Sequence, residues 1–330
     1  MLLKAAIYAT PGYGRRLGAT DVIEHAESNC TIAASKPTPM VILSLGHSAS
    51  TVTALRLAKL TGSGDGNPLG SERVTGSGLH PTSNRSKWTT NRALRSETPV
   101  HDIHAYFCAK QRERTAGLVG FKWKPLVLEG EWDDAFRWLG DHREVRVVHL
   151  RRNPLDVMIS GVKHGSSMCL PGASEAPGPY RDGMPTLSVK WEPSSSGEAP
   201  RRLGAHCTTA DEHCASLEKK VNLTVECILP FLDASRADAE LLLGKLDDYG
   251  ANYQDFSYFE LYEAPEPQIV EAWRRLLRFL GVAAWEVSHD DVVGASNLVE
   301  TTPYAQAETV RNYEEVAARL APTAYAHLLH

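Results

Sequence analysis

Met40-Val-Ile-Leu-Ser-Leu45 is a short and nearly continuous apolar run, and Gly46 follows it directly. A run of this length that ends at a glycine predicts a strand buried on both faces of a parallel sheet. Beyond the glycine, Val52, Leu55 and Leu57 recur at helical spacing. This part of the chain therefore predicts a strand, a tight polar turn and a helix in succession.

A second unit of the same kind begins at Val145-Arg-Val-Val-His-Leu150. Arg151-Arg-Asn-Pro154 follows, and a proline at the first helical position fits a helix over Leu155–Ser160. Two strand–turn–helix units favour an α/β fold with a doubly wound parallel sheet. Further elements are expected as strands at 118–121 and 258–262 and as helices at 133–139, 217–246 and 269–280.

Length and composition bound the class of protein. The chain has 330 residues, of which 42% are hydrophobic and 23% charged, as in ordinary globular proteins. The net charge of -5 and the isoelectric point near 6.2 argue against a general binder of nucleic acids or anionic membranes. No run reaches the ~20 apolar residues of a membrane span.

Three stretches carry little periodicity: the N-terminal residues 1–36 and two segments rich in glycine, serine and proline at 61–100 and 165–205. We expect the last two to be loop excursions from one domain that comprises residues 1–330. The first excursion carries five basic residues. They indicate either a solvated basic loop or a lid attracted to an anionic ligand.

Six cysteines are too few for a disulfide framework in a chain of this length. We expect buried or half-buried thiols at Cys30, Cys108, Cys169 and Cys227. His206-Cys207 and His213-Cys214 are of the residue types that bind zinc, but without a CxxC pair the coincidence of ligands in a loop is the preferred interpretation, and no metal is expected.

Three segments fit the N-glycosylation pattern, and all three are interpreted as coincidental because no secretory signal is recognisable: Asn29-Cys-Thr31, Asn84-Arg-Ser86 and Asn222-Leu-Thr224. The expected compartment is the cytosol. The oligomeric state cannot be read from the sequence.

The turn after the first strand has the chemistry of a phosphate cradle. Its backbone N–H groups, the start of the helix and three hydroxyls favour an anion there. The G-x-x-x-x-G-K-[ST] pattern of an ATP-binding loop is absent, which argues against ordinary ATP hydrolysis. A serine-capped helix without function is the alternative interpretation. The candidate binding residues are Gly46, His47, Ser48, Ala49, Ser50 and Thr51.

The turn after the second strand offers another anion site. Arg152 ends that strand and Ser160 lies two turns into the following helix. A guanidinium together with a hydroxyl suits a second phosphate. Two anion sites at the carboxyl ends of parallel strands imply a nucleotide with phosphates at both ends.

These two segments resemble those of the sulfotransferases that use 3′-phosphoadenosine 5′-phosphosulfate (PAPS). Val41–Thr51 is similar to the family's 5′-phosphosulfate loop, and Val147–Ser160 is similar to its 3′-phosphate motif. Later segments at 262–263, 279–281 and 310–315 also resemble the family. The resemblance implies a single P-loop-kinase-like domain with three layers, closest to bacterial and algal branches that act on carbohydrates or small molecules.

Two departures from the family pattern lie in the first loop. His47 stands where the family usually has lysine or arginine, and a neighbouring anion would favour its charged form. Ala49 stands where the family usually has glycine, so we expect a turn that avoids positive φ.

The resemblance also implies the reaction: in-line transfer of a sulfuryl group from PAPS to an acceptor hydroxyl, with adenosine 3′,5′-bisphosphate as the other product. Lys122, and after it His47, is the candidate cation for the leaving phosphate. Glu129, and after it His104, is the candidate general base. Arg311 is a candidate nucleotide contact. The plainer interpretation of each residue is a surface side chain.

Two other functions stay open at this stage. One is a P-loop nucleotide kinase, which the missing lysine disfavours. The other is a nucleotide-binding protein of the same fold without catalysis. The acceptor is not readable from the sequence beyond a small molecule or carbohydrate.

Overall fold

The computed structural model describes residues 30–34, 37–45, 49–62, 98–114, 116–123, 133–163, 220–283, 286–295 and 305–329. The strands are β1 (Thr38–Ser44), β2 (Leu118–Trp123), β3 (Arg146–Arg151) and β4 (Tyr253–Ser257). The helices are α1 (Ser50–Leu60), α2 (Thr98–Glu113), α3 (Asp133–Asp141), α4 (Pro154–Lys163), α5 (Val225–Asp248), α6 (Glu266–Phe279), α7 (His289–Gly294), α8 (Gln306–Thr309) and α9 (Tyr313–Leu320).

The four strands form one parallel sheet in the order β2-β1-β3-β4. The predicted α/β class with a parallel sheet and flanking helices is confirmed. β1 is buried along its whole length because it lies between two strands and under helices on both faces. This explains why its sequence is almost continuously apolar rather than alternating.

Each face of the sheet has its own apolar core. On one face, Val41 and Leu43 of β1 pack with Phe107 of α2 and Trp138 of α3. On the other face, Met40 and Ile42 pack with residues of α1 and α6, including Leu57 and Trp273. The side chains of β1 therefore alternate between the α2–α3 face and the α1–α6 face.

A third apolar cluster lies beside the sheet, where α4 and the first half of α5 pack on the C-terminal segment. Val221 forms an isolated parallel bridge with Val310 in this region. This cluster anchors the helix that follows β3, and so it fixes where that helix begins.

The predicted strand at 258–262 is wrong. The strand in this region is β4, which ends at Ser257, and a π-helical turn follows at Phe259–Glu263. Ser257 and Glu260 bond reciprocally through their side chains and backbone N–H groups, as in a helix-capping box. The aromatic residues suggested a strand because they favour strands, but the capping contacts turn the chain away from the sheet.

Several element boundaries also differ from the predictions, and two of the differences bear on the residues discussed below. β2 continues to Trp123 instead of ending at residue 121, so Lys122 lies within the strand. The helix expected at 217–246 begins at Val225, because Val221 pairs with Val310 in an extended conformation.

The prediction of cysteine thiols is wrong for Cys30, Cys108 and Cys227. Cys30 and Cys108 form a disulfide between the segment before β1 and helix α2, with the two Cα atoms 6.0 Å apart. Cys227 is also disulfide-bonded. Sequence spacing did not reveal the Cys30–Cys108 pair because 78 positions separate its members.

None of the described helices is long and apolar enough to cross a membrane. Within the described ranges, no group of three or more histidine, cysteine or acidic side chains is placed to hold a metal ion. The four residues weighed as zinc ligands, at positions 206, 207, 213 and 214, lie outside the described residues.

Candidate functional site

The two turns singled out in the sequence leave the sheet side by side. β1 and β3 are parallel neighbours, with Ser44 paired to Leu150 near their carboxyl ends. Adjacent strands lie about 4.8 Å apart. The first turn (residues 45–49, between β1 and α1) and the second turn (Arg152 and Asn153, between β3 and α4) therefore begin at the same edge of the sheet.

The first turn is described only in part, since Gly46, His47 and Ser48 lie outside the described residues. Ala49 has φ 60° and ψ 18°, which is the left-handed conformation. The expectation that an alanine would keep this turn away from positive φ is wrong. The conformation costs alanine about 1–2 kcal/mol relative to the right-handed region.

Thr53 holds Ala49 in this conformation. Both the backbone N–H and the side-chain hydroxyl of Thr53 donate to the Ala49 carbonyl oxygen, at 2.9 and 3.0 Å. Helix α1 therefore begins directly after a strained residue. Its first turn contains no acidic residue, and the N-terminus of a helix favours a negative charge.

Lys122 brings a buried positive charge to the start of α1. The side chain is 1% exposed, and Nζ donates to the Thr51 hydroxyl at 2.8 Å. Gly120 lets β2 pair closely with β1, because a Cβ at that position would lie 1.9 Å from the Met40 carbonyl oxygen. A buried ammonium is costly unless polar groups surround it, so it marks this corner as polar.

Ser44 adds a further polar group at the same corner. It is the last residue of β1, and it shares the α1–α6 face with Met40 and Ile42 because side chains alternate along the strand. Its hydroxyl oxygen is buried and has no hydrogen-bond partner among the described residues. Lys122 is the register partner of Ile42, so Ser44 and Lys122 lie on the same face of adjacent strands, and a hydroxyl and a lysine amine both suit the oxygen atoms of a phosphate or sulfate.

An aromatic ladder joins the two turns. The Arg152 guanidinium lies 4.1 Å from the Tyr258 ring centre, and Tyr258 stacks on Tyr262 with the ring centres 4.9 Å apart. Arg56 of α1 lies 4.9 Å from the other ring, that of Tyr262. The ladder therefore carries one guanidinium at each end.

The Tyr262 hydroxyl connects this ladder to the strained turn. It lies 2.6 Å from the Thr53 hydroxyl oxygen. Because the Thr53 hydroxyl hydrogen is already donated to Ala49, the Tyr262 hydroxyl is the donor in this contact. A continuous set of contacts thus runs from Ala49 through Thr53, Tyr262 and Tyr258 to Arg152.

The polar residues after β3 have mostly structural contacts. Asn153 accepts a hydrogen bond from the Leu155 N–H at 2.9 Å and donates to the Leu328 carbonyl oxygen at 2.8 Å. Asp156 accepts from the Gln306 side chain at 2.8 Å, and both side chains are buried. These residues attach α4 to the C-terminal segment.

Ser160 lies one helical turn beyond Asp156, on the same side of α4. Its side chain is 5% exposed, while Arg152 is half-buried. The predicted pair therefore consists of an arginine at the sheet edge and a hydroxyl enclosed by the helix layer.

The other candidates are spread across the molecule. His104 lies on α2, where its Nε2 atom is 2.8 Å from the Cys30 carbonyl oxygen and its ring contacts Trp138 and His142. Arg311 is exposed after the Val221–Val310 bridge. Neither residue contacts the ladder or Lys122 through an observed interaction. Glu129 lies outside the described residues.

Sequence reasoning missed a contact between the buried His149 of β3 and the half-buried Asp255 of β4. His149 Nδ1 lies 2.9 Å from Asp255, which is its register partner, and Arg151 Nε lies 2.6 Å from the second Asp255 oxygen. Burial raises the pKa of Asp255, but hydrogen bonds and charges from His149 and Arg151 outweigh it, so the pKa lies below its usual value. A polar residue inside the β3 apolar run was the available signal.

Searches against family models, curated proteins and solved structures returned no match to this chain.

Proposed function

We propose that the chain is a sulfotransferase that moves the sulfuryl group of PAPS to the hydroxyl of a small-molecule or carbohydrate acceptor. The observation that carries the proposal is the continuous set of contacts that runs from Ala49 through Thr53, Tyr262 and Tyr258 to Arg152. Lys122 donates to Thr51, which lies in the same helix α1 as Thr53. This set of contacts joins two turns at neighbouring strand ends, and each turn supplies groups that bind anions. A nucleotide with phosphates on both its 5′ and 3′ positions fits this arrangement, and the proposal includes a P-loop-kinase type for the four-stranded parallel sheet.

The corner around Lys122 fits the 5′ end of such a nucleotide. Three polar groups meet in this region. The Ser44 hydroxyl, which has no partner among the described residues, lies at the end of β1. The Thr51 hydroxyl lies at the start of α1, and Lys122 lies on the adjacent strand β2. Moving Nζ from Thr51 to an anionic oxygen would exchange a neutral acceptor for a charged and stronger one. His47, in the same turn, would add a second cation when protonated.

The second turn fits the 3′-phosphate. Arg152 contacts the Tyr258 ring at the edge of the sheet, and a planar guanidinium matches the geometry of a phosphate. Ser160 would add a hydroxyl, and Arg311 would have to reach the nucleotide from an exposed position.

In the proposed reaction, the acceptor oxygen forms a bond to sulfur while the bond between sulfur and the 5′-phosphate oxygen breaks. The acceptor proton goes to a base, for which Glu129 remains the candidate. Lys122 would stabilise the charge that develops on the leaving phosphate. The protein's work is then mainly positioning and charge stabilisation, as in phosphoryl transfer.

The direct test is transfer of ³⁵S-labelled sulfate from PAPS to an extract of small molecules and glycans, with mass spectrometry of the labelled product. We expect labelled product without added metal. Turnover of ATP with Mg²⁺ in place of PAPS would favour the kinase function. Tight binding of adenosine 3′,5′-bisphosphate without transfer to any acceptor would favour the non-catalytic binding protein.

A further inference from the structure

Asn222-Leu-Thr224 lies in a well-defined surface segment of the structure. Asn222 is exposed, whereas its neighbours Val221 and Leu223 are both buried. The segment fits the N-x-[ST] acceptor pattern for N-linked glycans. Of the three segments with this pattern, it is the one whose three residues are all described.

The backbone on either side of Asn222 is fixed by hydrogen bonds. Val221 donates to the Thr309 carbonyl oxygen and accepts from the Arg311 N–H. Leu223 donates to and accepts from the Asn312 side chain, at 3.0 and 2.8 Å. Both neighbours are thus fixed inward, and a substituent on the exposed Asn222 amide would leave their packing unchanged.

The Thr224 hydroxyl has no evident role in the fold. Thr224 is the residue before helix α5, where a threonine usually caps the helix by accepting a backbone hydrogen bond, but it makes no such bond. Its hydroxyl oxygen is buried and has no hydrogen-bond partner among the described residues. Such a hydroxyl is unfavourable in the folded state, so its presence calls for another explanation.

The disulfides indicate where the chain folds. Cys227, in the first turn of α5 and close to this segment, is disulfide-bonded, and so are Cys30 and Cys108. Disulfides persist in oxidising compartments and are rare in the cytosol. N-linked glycans belong to the surfaces of secreted proteins, which pass through such compartments.

We propose that Asn222 is an N-glycosylation site and that the chain folds in an oxidising compartment of the secretory pathway. The Asn222 side-chain nitrogen would form a bond to the anomeric carbon of an oligosaccharide, and the bond from that carbon to the pyrophosphate of a lipid carrier would break. The amide loses one proton, and the lipid pyrophosphate leaves. Each disulfide forms as two thiols lose two electrons and two protons to a disulfide-carrying oxidoreductase. This proposal replaces the expectation of a cytosolic protein, and it does not depend on the proposed sulfotransferase activity.

Peptide mapping of the chain immunopurified from the cells that make it tests both parts. Free thiols are alkylated, and the unreduced protein is cleaved with trypsin and treated with peptide N-glycosidase F in H₂¹⁸O. Cleavage after Lys220 and Arg236 gives one peptide that contains both Asn222 and Cys227. We expect residue 222 to appear as ¹⁸O-labelled aspartate and Cys227 to be linked to another cysteine peptide.

An unmodified Asn222 would contradict the proposed glycosylation site, whatever the state of Cys227. An alkylated Cys227 would contradict the proposal that the chain folds in an oxidising compartment. Thr224→Ala and Thr224→Ser, expressed in the same cells, form a matched pair. We expect the alanine variant to lose the glycan and its shift in gel mobility and the serine variant to keep both. After deglycosylation, the melting temperature of the alanine variant should not lie below that of the wild type, because the described residues give this hydroxyl no hydrogen bond. A glycosylated alanine variant would contradict the assignment.

Discussion

The turn after β1 and the turn after β3 lie side by side, but their polar residues are engaged in different ways. After β3, Asn153 and Asp156 bond to the C-terminal segment and attach α4 to the rest of the fold. After β1, Ala49 is strained, and the buried Ser44 hydroxyl has no partner among the described residues. Asn153 and Asp156 are thus satisfied within the fold, whereas the described residues leave the Ser44 hydroxyl without a partner.

Residues of one sequence motif can have different roles in the structure. Arg152 and Asp156 belong to the same resemblance to the 3′-phosphate motif. Arg152 contacts the Tyr258 ring at the edge of the sheet, whereas Asp156 is enclosed by Gln306. Variants of Lys122 and Arg152 should therefore change binding or turnover, whereas a variant of Asp156 should change stability.

The largest effect is expected at Lys122. Lys122→Met keeps the length of the side chain but removes the charge, and it should lower the rate of sulfuryl transfer by about 10²–10³-fold, as loss of one charge-stabilising donor does elsewhere. The affinity for adenosine 3′,5′-bisphosphate should fall much less. Turnover with saturating PAPS and calorimetry with the product measure the two quantities. Equal losses in both would make Lys122 a binding residue only.

Asp156→Ala should act on stability instead. The substitution leaves the buried Gln306 amide without this acceptor, and the free energy of unfolding should fall by about 1–3 kcal/mol. Urea denaturation measures the loss, and bisphosphate affinity at low temperature should be unchanged. A selective loss of affinity in a fully stable variant would remove the contrast between the two turns.

The contact between His149 and Asp255 lies away from both turns and should make the stability of the fold depend on pH. The pKa of Asp255 is lower in the folded state than in the unfolded state. Its ionised form therefore stabilises the fold at pH values above the unfolded pKa of about 3.9. This stabilisation is lost as the pH falls through the pKa of the folded state. Asp255→Asn should therefore flatten the decline of stability with acid between about pH 5 and pH 2. Urea midpoints across that range test it, and parallel curves for both proteins would contradict it.

The smallest effect, and one of opposite sign, is expected at Ala49. Ala49→Gly removes the penalty of the left-handed conformation, and the free energy of unfolding should rise by about 1 kcal/mol. Thermal unfolding measures it, with Ala54→Gly inside α1 as the control that should destabilise. A destabilised Ala49→Gly variant would show that the strain is relieved in some other way.

The sequence allowed prediction of those features that depend on local pattern. The apolar runs of β1 and β3 and the helix after each of them were predicted correctly, because buried strands and amphipathic helices have short periods. The aromatic residues at 258–262 misled the prediction, since the contacts between Ser257 and Glu260 outweigh strand propensity.

Two contacts within the site, and the disulfide outside it, join distant parts of the chain. The Tyr262–Thr53 bond, the Lys122–Thr51 bond and the Cys30–Cys108 disulfide each join residues more than 70 positions apart. The spacing of apolar residues along a short segment does not indicate which distant residues will be in contact. The left-handed Ala49 was missed for the same reason, because the Tyr262 and Thr53 contacts that support it are set by the tertiary fold.

The central claim is that the two turns bind opposite ends of one nucleotide. The most direct test is calorimetry with adenosine 3′,5′-bisphosphate and with adenosine 5′-monophosphate on the wild type, Arg152→Ala and Arg151→Ala. We expect the bisphosphate to bind more tightly to the wild type and to Arg151→Ala, whose arginine bonds to Asp255. In Arg152→Ala this preference should shrink by about 1.5–3 kcal/mol while 5′-monophosphate binding persists. An equal loss for both nucleotides, or no preference in the wild type, would contradict the claim.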